Sequence, residues 1–202
     1  MKHLGDITKI NGAEIEPVDC VCGGSPCQDL SVAGLRKGMK HTGKGDDETT
    51  RSGLFMEQIR IIKEMRENDR ANGRSGKFVR PRYMVWENVQ GAISSGKDEN
   101  GNALKGEDFR CVLEETARIV QADAVIPRPP KEGWGYSGSI VGEGYSIAWK
   151  VHDAQHWGVP QRRKRLALLC DFNGYTAGEI LFDPEYIGIS EGNEQNDAFA
   201  DT

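Results

Sequence analysis

Residues 18–31 read VDCVCGGSPCQDLS, a short apolar run followed by two glycines and a proline. The apolar run is typical of a buried β-strand. Gly23 and Gly24 allow a tight turn after it, and Pro26 stiffens the approach to Cys27. We therefore predict that Cys27 lies in a rigid loop at the carboxyl end of a strand.

The cysteines of this stretch could serve a metal site, a redox site or a nucleophile. A structural zinc site normally needs two close ligand pairs, and no second pair follows Cys20, Cys22 and Cys27. A redox site would favour a C-x-x-C pair, which is also missing. Cys20 and Cys22 share one face of the predicted strand, so we interpret them as small buried thiols. On this pattern alone, Cys27 is either a nucleophile or an inert loop residue.

Strands and helices alternate along the rest of the chain. Two stretches with apolar residues at helical spacing, 54–67 and 109–120, predict helices. Apolar runs at 83–86, 146–151 and 166–170 predict further strands. This order predicts an α/β fold with a mostly parallel sheet and helices on both faces, in which ligands bind at the carboxyl ends of the strands.

Composition limits the class of protein. The chain has 202 residues, of which 37% are hydrophobic and 28% charged, which fits one globular domain. Its five cysteines are odd in number and irregularly spaced, which favours reduced thiols. The start lacks a secretory pattern, and no apolar run reaches the ~20 residues that span a bilayer, so we predict a cytoplasmic protein without a membrane partner. We interpret the polar, Gly-rich or Pro-rich stretches 68–77, 94–108 and 126–144 as loops.

Five motifs in a fixed order resemble those of the cytosine-5 DNA methyltransferases. They are HLGDIT at 3–8, SPCQDLS at 25–31, TRSGLFMEQIRIIKE at 50–64, WENV at 86–89 and GVPQRRKRL at 158–166. The resemblance covers most of residues 3–172. It implies a partial Rossmann-like class I methyltransferase sheet, S-adenosylmethionine as methyl donor, and double-stranded DNA with a flipped cytosine as substrate.

The resemblance implies three catalytic residues. Cytosine C5 is a poor nucleophile until a group adds to C6, and a thiolate both adds and leaves well. Cys27 matches that nucleophile, and Glu87 matches the residue that protonates or hydrogen-bonds N3. Arg165 matches a residue that approaches the flipped cytosine and its phosphate.

Other positions match supporting roles. In a strand, Gln161 and Arg163 would share a face with Arg165, and they are expected beside the substrate. Asp6 resembles the acidic residue that binds the adenine amino group of the donor, and Leu54 resembles a wall of the donor site. The remaining candidates hold the Cys27 loop and the substrate: Pro26, Gln28, Ser31 and Asn88.

Two parts of the family pattern have no counterpart: the N-terminal Gly-rich cofactor motif and the C-terminal recognition domain. We therefore expect residues 1–172 to form an incomplete catalytic domain, and 173–202 to hold the start of a truncated recognition region and an acidic tail. We expect the chain alone to be inactive and to bind the donor weakly, with complementary methyltransferase fragments as candidate partners. The alternative is a noncatalytic truncated fragment or subunit that binds a partner chain.

Overall fold

The computed structural model describes residues 3–25, 53–96, 102–158 and 160–182. Within these ranges a five-stranded sheet carries helices on both faces. The strands are β1 (Cys20–Gly24), β2 (Tyr83–Val89), β3 (Ser137–Gly142), β4 (Tyr145–Asp153) and β5 (Lys164–Asp171). The helices are α1 (Gly53–Ala71), α2 (Glu107–Ala117) and α3 (Ala177–Leu181). In the described ranges no helix combines the length and the apolar character that crossing a membrane requires.

The sheet is mixed, with the order β1-β2-β5-β4-β3. The α/β class is confirmed, but the prediction of a mostly parallel sheet is wrong for the described strands, among which only β1 and β2 pair in parallel. The other three neighbouring pairs are antiparallel. Parallel neighbours need a long crossover, usually a helix. Here α1 provides that crossover between β1 and β2, whereas β3, β4 and β5 follow one another without an α-helix between them.

Strand β3 lies inside the stretch 126–144 that the sequence predicts to be a loop, so that prediction is wrong at this point. The strand reads SGSIVG and contains few residues that favour strands. Its backbone pairs with β4 from Ser137 opposite Lys150 to Gly142 opposite Tyr145. Pairing across a short hairpin, rather than local preference, therefore sets the conformation of this segment.

The two long helices cover one face of the sheet. Helix α1 buries Phe55, Ile59 and Ile62 against β2, as its apolar spacing predicts, and the Phe55 and Trp86 rings meet edge to face with centroids 5.6 Å apart. Burial of each such side chain contributes about 1.5–3 kcal/mol to stability. Helix α2 adds Phe109, Leu113 and their neighbours to the same core. Helix α3 covers the other face through Ala177.

Cys20 and Cys22 are exposed, so the prediction that they are buried is wrong. Val21, between them, packs towards α1, and the two cysteines therefore face the other side of the sheet. On that side α3 packs against β4 and β5, away from β1. The two Sγ atoms lie 3.7 Å apart, and all four cysteines that the structure describes are free thiols.

Asp171 ties the end of β5 to its surroundings. Its buried carboxylate accepts two hydrogen bonds from the Arg82 guanidinium, at 3.0 and 2.9 Å, and one from the Thr176 hydroxyl at 2.6 Å. The Asn173 backbone N–H adds another at 3.0 Å. Burial alone would raise the pKa of Asp171, but these hydrogen bonds outweigh it and lower the pKa to about 2. Residues 173–177 are thereby held against the sheet.

We expect Asp171→Asn to lower the free energy of unfolding by about 2 kcal/mol near neutral pH, because the amide loses the charge and cannot accept every bond. A depressed pKa in the folded state stabilises the fold above the unfolded pKa, so the deficit should be full above about pH 4. It should shrink as the pH falls towards 2, where the native carboxyl also protonates. Urea unfolding of both proteins at pH 7 and pH 3 measures this difference. Asp123→Asn, at an exposed position, is the control.

Candidate active site

The carboxyl ends of β1 and β2 lie side by side because these strands are parallel. Gly24 is opposite Glu87. A Cβ atom on Gly24 would lie 3.3 Å from Glu87 Oε2 and 3.1 Å from the Glu87 carbonyl oxygen, so a side chain here would crowd the carboxylate. Ser25 follows and leads to four predicted site residues that lie outside the described ranges: Pro26, Cys27, Gln28 and Ser31.

Glu87 and Arg165 form an ion pair across β2 and β5. Arg165 Nε lies 2.8 Å from Glu87 Oε1, and the two side chains are 34% and 53% exposed. A pair this exposed contributes little to stability, about 0–1 kcal/mol. Its main effect is to orient the carboxylate at the end of the sheet. The sequence motifs nominate both residues, and the structure brings them together.

Asn88 connects β2 to the segment that leads to Cys27. It is only 3% exposed, its Nδ2 donates to the Ser25 carbonyl oxygen at 3.0 Å, and its Oδ1 accepts from the Val89 N–H at 2.8 Å. Trp86 Nε1 donates to the Ser25 hydroxyl at 3.2 Å. Trp86 and Asn88, the neighbours of Glu87 in sequence, therefore both donate hydrogen bonds to Ser25. The role of Asn88 in positioning the Cys27 loop stays a prediction.

Gln161 and Arg163 do not extend β5. The strand begins at Lys164, so the alternation predicted from Gln161 onward does not hold. The Arg163 backbone N–H donates to Asp153 Oδ1 at 3.0 Å, and its side chain is exposed. Gln161 lines a surface pocket of about 390 Å³ together with Gln155, Gly158, Pro160 and Arg162. The structure thus brings Arg165 to Glu87 and places Gln161 in that other pocket.

A cavity of about 210 Å³ opens at the carboxyl end of β1, between this strand, the start of α1 and residues 7–9. Leu54, the predicted wall of the donor site, lines it. The other lining residues are Ile7, Val21, Cys22, Gly23, Gly24, Ser25, Gln58 and Ile61. The cavity therefore shares Gly24 and Ser25 with the segment that leads to Cys27.

Asp6 precedes Ile7 and caps the short 3₁₀ turn at 7–9. Its Oδ1 accepts hydrogen bonds from the Thr8 backbone N–H at 3.0 Å and from the Thr8 hydroxyl at 2.9 Å. These bonds lower the pKa of Asp6, which is exposed. The residue thus serves as a turn former, and its contact with adenine stays a prediction.

Comparison with known proteins decides the family. A model described as C-5 cytosine-specific DNA methylase matches residues 1–107 and 139–194. The chain belongs to this family. The resemblance drawn from the five motifs is therefore confirmed, and every predicted site residue lies within the matched ranges.

The methylase chain is similar to several curated proteins. It is 34% identical to a DNA N-6-adenine-methyltransferase of Escherichia phage P1, over 81% of this chain and 22% of that protein. It is 28% identical to the type II methyltransferase M.BsuFI of Bacillus subtilis, over 83% of this chain and 28% of that protein. The chain thus spans well under half the length of these relatives. Among solved structures, it is 16% identical to the S. pombe Dnmt2 methyltransferase, with a TM-score of 0.43, over 86% of this chain and 37% of that one.

Three residues of α1 make contacts to which the motif at 50–64 assigns no role. Arg60 donates from Nη1 to the Ile10 carbonyl oxygen at 2.9 Å and from Nη2 to that of Ile7 at 3.2 Å. Glu64 accepts from the Gly12 N–H at 2.7 Å, and together these side chains fasten the N-terminal segment to α1. Gln58 is buried on the apolar face of α1. A polar residue at a core-facing position was the one indication that the sequence offered.

Proposed function

We propose that this chain carries the reaction centre of a DNA (cytosine-5-)-methyltransferase. The reaction would transfer a methyl group from S-adenosylmethionine to C5 of a cytosine flipped out of double-stranded DNA. The observation that supports this most strongly is the Glu87–Arg165 ion pair. It lies near Ser25, to which Asn88 and Trp86 donate hydrogen bonds. It brings two of the motif residues to the segment that leads to the third, Cys27.

In the proposed mechanism the Cys27 thiolate adds to C6, and the ring electrons move towards N3. Glu87 donates a proton or a hydrogen bond to N3, which leaves electron density at C5. C5 would then attack the methyl group, the S–C bond of the donor would break with S-adenosylhomocysteine as the leaving group, and N3 would return its proton to Glu87. A base then removes the C5 proton. The electrons of that C–H bond re-form the C5–C6 double bond and expel the Cys27 thiolate. In this proposal the chain contributes the nucleophile that adds to C6 and the acid that acts at N3.

The basic and amide side chains have positioning roles in this proposal. Arg165 orients Glu87 and offers its remaining guanidinium N–H groups to the flipped base or its phosphate. Arg163 and Gln161, which are exposed and precede Arg165 in the sequence, contact the DNA strand in this proposal. Contacts of this kind offset the few kcal/mol that flipping a base requires. The loop residues that position Cys27 in this proposal are Pro26, Gln28 and Ser31. Asn88 supports the start of that loop through its hydrogen bond to Ser25.

The cavity between β1 and α1 fits the base end of the methyl donor. When bound, S-adenosylmethionine supplies an electrophilic methyl group. The lining is apolar at Ile7, Leu54 and Ile61, and none of its described residues carries a charge. Such walls suit a flat heterocycle, with Asp6 available at the rim beside Ile7. Gln58 also lines this cavity, and its buried amide nitrogen Nε2 has no hydrogen-bond partner among the described residues.

A mechanism-based trap tests the proposal. The protein, with any adjacent encoded segment, is incubated with S-adenosylmethionine and a duplex containing 5-fluorocytosine, from which the C5 substituent cannot leave as a proton. We expect a denaturation-resistant protein–DNA adduct, with peptide mass spectrometry locating it at Cys27. Cys20→Ser, which removes an exposed thiol outside the site, should form the same adduct. An adduct on Cys20 or Cys22 would contradict the assignment.

The same experiment separates the other candidates. The name of the phage P1 relative favours transfer to adenine N6 as a second candidate. An exocyclic amine needs no addition to the ring, so N6-methyladenine would form without an adduct and without Cys27. Absence of both product and adduct would favour a noncatalytic subunit that binds a partner chain.

A further inference from the structure

Gln58 is a buried polar residue in the apolar stripe of α1. Its side chain is 6% exposed, and its Nε2 has no hydrogen-bond partner in the described part of the chain. Buried donors in native proteins are almost always paired. An amide that breaks this rule in the wall of a cavity indicates a missing partner, because an unpaired buried N–H lowers stability.

The amide of Gln58 lies directly on the backbone of β1. A Cβ atom on Gly23 would approach Gln58 Oε1 to 2.5 Å and Nε2 to 2.9 Å, closer than such atoms can pack. Glycine at this position therefore leaves room for the amide. Both residues line the cavity that also contains Leu54. The close contact limits where the amide of Gln58 can move.

We propose that Gln58 Nε2 donates a hydrogen bond to a ring nitrogen of the adenine of bound S-adenosylmethionine. This inference rests on the proposed function and adds a residue that recognises the donor. The amino-acid end of the donor carries an ammonium and a carboxylate, which would need charged or multiple polar partners. The described lining has no charged residue, whereas Ile7, Val21 and Leu54 offer apolar surfaces for a ring. The base is therefore the part of the donor that reaches Gln58.

The substitution Gln58→Leu separates this role from a structural one. Leucine has a similar size and no donor. If Gln58 serves the ligand, the ligand-free variant should be at least as stable as the wild type, because an unpaired buried amide has been removed. Its affinity for S-adenosylhomocysteine should nevertheless fall by roughly 5–10-fold, the effect of one hydrogen bond. A structural role would instead lower the stability.

Binding is measured with purified protein by calorimetry, or by ligand-observed NMR if the dissociation constant is millimolar, and stability by urea unfolding without ligand. Analogues of S-adenosylhomocysteine in which N1, N3 or N7 is replaced by carbon identify the acceptor. One of these analogues should bind the wild type more weakly than S-adenosylhomocysteine does. The same analogue and S-adenosylhomocysteine should bind Gln58→Leu equally well. Gln121→Leu, outside the cavity, should resemble the wild type in both measurements.

The outcomes distinguish this inference from the proposed function. Equal affinity of wild type and Gln58→Leu for S-adenosylhomocysteine would overturn the role of Gln58 and leave the methyltransferase assignment intact. Equal loss with all three analogues would also overturn it, because the ring nitrogen would then not be the acceptor. A wild-type protein that does not bind S-adenosylhomocysteine at all would overturn both. Gly23→Ala should weaken binding in the wild type and have less effect in a Gln58→Ala background.

Discussion

In an enzyme reconstituted with complementary methyltransferase fragments, we expect Cys27→Ser to form no detectable 5-methylcytosine and to bind S-adenosylhomocysteine as tightly as the wild type. A thiol ionises near neutral pH when its surroundings favour the thiolate, whereas a serine hydroxyl stays protonated and adds poorly to C6. The cavity that we propose for the donor is lined by residues before and after the Cys27 loop, and Leu54 and Gln58 of its wall lie on α1. Loss of the nucleophile should therefore separate turnover from donor binding. Tritium transfer to duplex DNA and calorimetry measure the two properties.

The control for this prediction is a second exposed thiol. Cys20→Ser removes an exposed sulfur atom on the neighbouring strand and should leave turnover unchanged. Urea unfolding of both variants checks that neither change alters the fold. Measurable 5-methylcytosine from Cys27→Ser would show that another group adds to the ring, or that no addition occurs.

The parts of the fold that sequence predicts well are those with strong local patterns. Phe55, Ile59 and Ile62 recur at helical spacing, and all three are buried in α1. The run YMVW lies within β2, where Met84 and Trp86 are fully buried. In both cases one periodicity specifies both the element and the face that it buries, so no distant partner has to be known.

Prediction fails where long-range pairing decides the conformation. The Ser-Gly-rich β3 becomes a strand because β4 folds back on it, and local composition cannot show that. The predicted direction of the strands was wrong for the same reason. Strand β5 follows β4 in sequence but lies between β2 and β4 in the sheet, and it is antiparallel to both. Exposure of Cys20 and Cys22 depends on which helices cover each face, which alternation along one strand leaves open.

The site shows the same division. Motifs nominate Glu87 and Arg165 separately, but their 2.8 Å contact depends on the register of β2 against β5, in which Val89 faces Arg165. The hydrogen bond from Asn88 to Ser25 depends on the parallel pairing of β1 and β2. Gln58 and Arg60 lie within the motif at 50–64, but the resemblance assigns a role only to Leu54 in that motif. Their contacts become visible only in the structure, where Gln58 lines the cavity and Arg60 donates to the Ile10 carbonyl oxygen.

In the same reconstituted enzyme, we expect Glu87→Gln to reduce the single-turnover rate of methyl transfer by about 10²–10⁴-fold, the usual contribution of general acid catalysis. Glutamine keeps the shape of the side chain and can donate a hydrogen bond to N3, but it cannot transfer a proton in the same way. The stability of the protein should change by less than about 1 kcal/mol, because the ion pair with Arg165 is half exposed. A large rate loss without unfolding would therefore belong to the chemical step.

Two further variants interpret the result. Glu132→Gln, an exposed carboxylate between α2 and β3, should keep the wild-type rate. Arg165→Gln in the Glu87→Gln background tests whether the arginine acts through the carboxylate, since residues in one network have non-additive effects. If Arg165 only orients Glu87, the double variant should be no slower than the slower single variant. An additional loss would indicate that Arg165 also contacts the flipped base or its phosphate. An unchanged single-turnover rate for Glu87→Gln would remove Glu87 from the chemistry and leave its contact with Arg165 as a structural one.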